Sequence, residues 1–446
     1  AFGQGSLRCN TSGCFNTASG AAALAANTTA CNNVAVGKSA LAANTTGTEN
    51  VAVGSGALDS NTTAGCNTSI GHGSMGDNTE GANNVAVGRS ALGSNTTGAS
   101  NVAIGRSSLT LNTTATGNTA TGAFALDKNT TGANNVGLGW QALTANTTAS
   151  NNVAVGALGF QSLKANTTGC RNVALGSSAG LAITTGIENV AIGYESLKNE
   201  DAHGRNTAVG TQALFAQNAG ADAYNVAVGY QAGAAISTGV QNTMVGAFSG
   251  DGITTGQYNV GVGIHAVGST TTASNNTGLG YNALFTNTTG ADNTAVGIYS
   301  LNYNTTGSSN TAVGENALVK NTTAANNVAI GSSALACNTT GHENTAVGYR
   351  TFLANTTGSE NVGVGQDAGK ANTTGFTNTY IGQCSGFQAT TPEGNVFIGH
   401  YAGGNAGSGN NNIAVGTNAG VDAVRNLTGT CTHNIVMGGN SHANAY

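Results

Sequence analysis

The strongest constraint in this sequence is a period. A five-residue word, Asn33-Val34-Ala35-Val36-Gly37 in one instance, returns along the whole chain. Its anchoring Asn stands at 16, 33, 50, 67, 84, 101, 118, 135 and 152, at 172, 189 and 206, then every 17 residues from 225 to 412, and last at 434. Of the 24 intervals, 21 are 17 residues long; the other three, of 20, 19 and 22, assign local insertions to 157–159, about 217–224 and about 424–433. A unit of 17 residues is too short to enclose a core, so each coil must borrow cover from its neighbours.

Taking the anchoring Asn as place 0, place 4 is Gly in every repeat, which calls for positive φ or close approach of a neighbour. Place 3 is almost always aliphatic (Val53, Ile70, Leu138), whereas place 2 ranges from Gly137 through Ala52 to Tyr380 and Phe397. Alternation along a strand then predicts places 1 and 3 facing inward and place 2 outward. A second strand is expected over places 7 to 12, in the form Ala91-Leu92-Gly93-Ser94-Asn95-Thr96, before a Thr/Gly corner. Where Leu at place 8 gives way to Gly180, Gly233 or Gly250, Asn at place 11 gives way to Ile183, Ile236 or Ile253. Volume lost at one place returns at the other, so the two share an interior site; Gly369, Gly386, Gly403 and Gly420 receive no such Ile.

Composition agrees with a thin, repetitive core. Charged residues make up 7% of the 446, aromatic ones 5%, and Gly supplies 69, with a single Pro. A soluble domain ordinarily carries about 25% charge. With 13 Lys and Arg against 18 Asp and Glu, nucleic-acid binding lacks its electrostatic drive, and the short apolar runs exclude a membrane-spanning helix. The expected architecture is all-β: a single elongated β-solenoid of about 26 coils with a 17-residue repeat. At about 4.8 Å per coil it would be a rod on the order of 120 Å long. Inward Asn at place 0 (Asn33, Asn50, Asn67, Asn84) and at place 11 (Asn44, Asn61, Asn95) would stack as amide ladders, since a buried amide needs partners above and below.

The word Asn-Val-Ala-Val/Ile-Gly followed by Ala-Leu resembles the head repeats of trimeric autotransporter adhesins and similar repeats in phage and viral tail-fibre proteins, over essentially the whole chain. The resemblance implies an extracellular β-roll used for surface attachment, often as three chains side by side. The 17-residue period and the Asn-Thr-Thr-Gly corner depart from the adhesin pattern.

The chain opens on Ala1 in mid-repeat and stops at Tyr446 without a cap pattern, which reads as a mature, exported product with two open edges able to pair head to tail. The leading functional expectation is therefore the subunit of a self-assembling extracellular fibre, its main partner itself. The alternatives are the shaft or head of a surface adhesin or tail fibre, with Tyr380, Phe397 and Tyr401 as outward receptor contacts, and an ice-binding solenoid using its Thr columns.

Cys14 and Cys31 occupy equivalent places in consecutive coils, within disulfide reach. Cys9, Cys384 and Cys431 are candidates for bonds across a subunit junction, and Cys66, Cys170 and Cys337 read as buried small hydrophobes. Fourteen Asn-Thr-Thr triplets match the N-glycosylation pattern, but a place that accepts Ile faces inward. Covalent glycans are better placed on Thr, as O-glycosylation at Thr28, Thr29, Thr96 and Thr97. No catalytic constellation, cofactor or metal site is expected: the seven His form no column, Cys431 with His433 makes too few ligands for zinc, and the charged run from Glu188 to Arg205 reads as a solvated corner.

Overall fold

The computed structural model describes residues 1–156, 161–421 and 432–439. The chain forms two compact units, Ala1–Tyr224 and Asn225–Tyr446, each a stack of β-solenoid coils. The first holds β1 (Thr17–Ser19) to β12 (Thr207–Val209), the second β13 (Val226–Val228) to β25 (Ile435–Met437). Each strand is three residues long and falls on places 1 to 3. Consecutive strands within a unit pair in parallel, place for place, as in Val34↔Val51, Ala35↔Ala52 and Val36↔Val53. Longer intervals do not shift that register: Val153 pairs with Val173 and Ile413 with Ile435. The insertion predicted at 157–159 lies outside the described residues, as does most of that at 424–433.

The facing of the strand is the reverse of the expectation. Place 2 is buried, with Ala35 and Ala52 at 0% exposure, while Val36 at place 3 is 38% exposed and place 1 is half-buried. The coil interior is narrow, and the middle residue of the three-residue strand points into it. Branched residues at places 1 and 3 thus satisfy strand preference on an outer face rather than core packing. Tyr380 and Phe397 are accordingly interior, stacked with ring centroids 5.2 Å apart, and are not the outward contacts expected, while Tyr401 is half-buried.

Among the described residues, places 7 to 12 form no strand. They are a run of turns in which Leu41 at place 8 has φ 51°, as Ser39 at place 6 has 58°. Asn44 N–H bonds the Leu41 carbonyl at 3.3 Å, closing a tight turn, while Leu41 N–H reaches the Ala57 carbonyl of the next coil at 3.0 Å. Coil-to-coil backbone bonding therefore continues through the turn without strand geometry. Left-handed φ is costly for most side chains, which explains why Gly is accepted at place 8: Gly180 has φ 56° and Gly369 has 58°. At place 4 the requirement is stricter. Gly37 has φ 131°, and a Cβ there would sit 2.5 Å from the Gly54 carbonyl oxygen of the next coil.

Volume inside the coil is shared by places 2, 8 and 11. A Cβ on Gly180 would meet the Ile183 side chain at 3.0 Å, the predicted exchange. The glycines without Ile are filled differently. Phe352 and Tyr380 crowd Gly369, Tyr380 lies beside Gly386, and Phe397 beside Gly403.

Candidate functional site: asparagine columns and outer faces

Both predicted Asn columns are present. Asn33, Asn50, Asn67 and Asn84 at place 0, and Asn44, Asn61 and Asn95 at place 11, are all at 0% exposure. At place 0 the carboxamide oxygen accepts the backbone N–H of the next anchor, as Asn50 N–H to Asn33 Oδ1 at 2.9 Å. Its nitrogen donates to the corner carbonyl at place 14, as Asn33 Nδ2 to Gly47 O at 2.9 Å. At place 11, Asn61 Nδ2 donates to Asn44 Oδ1 at 2.9 Å, and Asn44 Nδ2 donates to the same Gly47 carbonyl at 2.9 Å. One corner carbonyl thus serves both columns, and buried amides that would be costly alone are paired.

The Asn-Thr-Thr corner divides its two hydroxyls. Thr28 and Thr96 are half-buried, and their Oγ1 donate to the Thr45 and Thr113 carbonyls at 3.1 Å, so they knit coils together rather than offer attachment points. Thr29 and Thr97 are exposed.

Sequence reasoning missed two outer faces. The first is the strand face itself, where Ile70, Ile104 and Ile330 are about two-fifths exposed. The second lies just past the invariant Gly in the second unit, where Tyr230, Ile264, Tyr281, Ile298 and Tyr349 at place 5 are exposed. Neighbouring rings pack there: Tyr230 meets Phe248 edge-on at 5.1 Å, and Phe248 stacks on His265 at 5.0 Å. The signal available was the variety of residues at places 5 and 6, next to a place that never varies.

Register does bring Cys14 and Cys31 together: their Sγ atoms are 2.8 Å apart as free thiols. The hydrogen bond between them pushes the Cys14 thiol up and holds Cys31 down. Cys9 is exposed and Cys384 half-buried, while Cys431 lies outside the described residues. Cys66, Cys170 and Cys337 are not buried: Cys66 is exposed, its thiol donating to Glu49 Oε2 at 3.4 Å, and the other two are half-buried. They stand on corners and outward turn positions, where the coil has no interior to offer.

The run from Glu188 to Arg205 is only partly solvated. Arg171 and Arg205 both grip Glu188, at 2.8 and 3.0 Å, and hold its carboxyl below the usual range. Arg205 also pairs with Asp222, and Lys198 with Glu195 at 2.7 Å. Glu200, expected in solvent, is at 0% exposure. Neither a protein-family model nor a curated protein matches the chain.

Proposed function

We propose that this chain is a non-enzymatic structural stretch of an extracellular fibre, with the shaft of a surface adhesin or tail fibre as the alternative form of the same role. The observation that carries this reading is the set of coil-to-coil bonds. Backbone groups, Asn columns and Thr hydroxyls link each coil to the next within a unit, so tension along the stack is spread over many equivalent bonds. The exposed strand face adds a lateral surface of branched apolar side chains, of a kind that monomers seldom leave uncovered. Its partner is a further copy of the chain, because the same 17-residue spacing repeats on both. Exposed Thr29 and Thr97 are the positions for a glycan coat.

Electron microscopy of the purified full chain, with its mass in solution by light scattering, tests the reading. Fibres that lengthen with concentration support the structural subunit; discrete rods support the shaft. Isolated monomers with no elongated form would reject both. Intact-mass measurement equal to the 43.5 kDa of the polypeptide would remove the glycans. One observation favours the ice-binding reading as a lesser alternative: Thr277, Thr294 and Thr311 follow one another, half-exposed, at place 1 of three paired strands. Absence of thermal hysteresis would dispose of it.

A further inference from the structure

At place 11 the column residue is elsewhere mostly Asn, paired above and below, or Ile facing Gly. In the coil anchored at Asn189 it is Glu200, between Ile183 one coil before and Gln217 one coil after. The same coil also replaces Thr at place 12 by Asp201, and puts His203 at place 14, where nearly all other coils carry Gly, Ala or Pro. Three potential ligands thus appear together in one corner.

Their environment is unlike that of an ordinary acidic cluster. The Glu200 side chain is 0% exposed, and its Oε1 accepts the His203 backbone N–H at 3.2 Å, while its Oε2 has no hydrogen-bond partner. His203 Nδ1 is likewise buried without a hydrogen-bond partner, 4.0 Å from Glu200 Oε1. The cations nearby are engaged elsewhere, Arg205 with Glu188 and Asp222, Lys198 with Glu195. A buried carboxylate without a counter-charge is costly. One ligand atom each from Glu200, Asp201 and His203 lies within 4.8 Å of the others.

We propose that Glu200, Asp201 and His203 form a binding site for a first-row divalent transition-metal cation of the Zn2+ type. Ligand bonds of about 2.0–2.2 Å put coordinating atoms roughly 3–4 Å apart, so a small inward turn of the Asp201 and His203 side chains closes the site. The imidazole selects against Ca2+ and Mg2+, which take oxygen ligands. Water completes the coordination on the side of half-exposed Asp201 and His203. Asp222 Oδ1 accepts the Gly204 N–H at 3.0 Å and braces the corner from the next coil. The ion supplies the charge that Glu200 lacks and cross-links a corner from which the Asn column is missing.

The test is calorimetric titration of the chelator-treated full chain with Zn2+, its cysteines blocked by alkylation so that Cys14 and Cys31 cannot compete. The expected result is one equivalent bound and a raised melting temperature. Glu200→Asn and His203→Gly restore residues found at these places in other coils and so preserve folding. Each should weaken Zn2+ binding at least tenfold. Ca2+ should bind at least tenfold more weakly than Zn2+ to the unaltered chain. Absence of Zn2+ binding, binding that survives both substitutions, or equal affinity for Ca2+ would overturn the assignment.

Discussion

In the first unit, coils from Asn27 to Asn166 carry Asn at place 11 throughout, whereas the next three carry Ile183, Glu200 and Gln217. The second unit shows the same contrast between Ile236, Ile253 and Thr270 and the run that begins at Asn287. Place 0 keeps its Asn in both kinds of coil. Asn189 N–H still meets Asn172 Oδ1 at 3.0 Å, and Asn259 N–H meets Asn242 Oδ1 at 3.0 Å. The two columns therefore differ in what they hold. Place 0 bonds the backbone of the next coil and a corner carbonyl, and no apolar side chain can replace it. Place 11 bonds its own kind and that same corner carbonyl, which place 0 also serves, and it borders the volume shared with place 8, so it can be exchanged when its neighbour changes with it.

The contrast can be broken at its most rigid point first. Gly88→Ala, which puts a Cβ 2.6 Å from the Gly105 carbonyl oxygen at φ 135°, should cost more than about 4 kcal/mol in urea unfolding, the largest effect of the set. Asn84→Ala removes the acceptor of Asn101 N–H and the donor to Gly98 O, and should cost about 3 kcal/mol. Asn61→Ile alone overpacks against Leu58 and strands its Asn neighbours, at about 2–3 kcal/mol; adding Leu58→Gly should recover about 1 kcal/mol or more. If the double variant were no better than the single one, shared volume would not be what makes place 11 exchangeable.

The smallest effect concerns the departure at Glu200. Its folded-state carboxyl titrates near 7, above the ordinary 4.5. The folded protein then keeps a proton that the unfolded chain has lost, so stability is full below about 4.5, falls as pH rises toward about 7, and levels off above. Glu200→Asn should flatten that slope in metal-free protein. An unchanged slope would mean that the carboxyl reaches solvent.

Much of this architecture was legible in the period alone. Invariant Gly at place 4 announced the close approach, the Leu-to-Gly exchanges announced a shared site, and a column accepting Ile announced buried Asn. The facing of the strand is not legible from place 3, because an aliphatic residue there does not require burial. In a three-residue strand on a thin coil, β-branched side chains serve the outer face as well. The variation at place 2 was itself the sign of packing, since Tyr380 and Phe397 stand where Gly386 and Gly403 leave room. The absent second strand follows from left-handed φ at Leu41 and its equivalents, which no preference of Leu foretells. Glu200 looks like one charge among several in the run from Glu188 to Arg205, although its place in the Asn column marks it as interior.

Equivalent asparagines queue one above another, and the middle residue of each strand points into the coil. Solid-state NMR on protein labelled with 13C at the Asn side-chain carbonyl measures this directly. Stacked columns predict strong recoupling between labels about 4.8 Å apart, and Asn84→Ala should break that coupling locally. Weak couplings corresponding to scattered carboxamides, about 7 Å or more apart, would contradict the account.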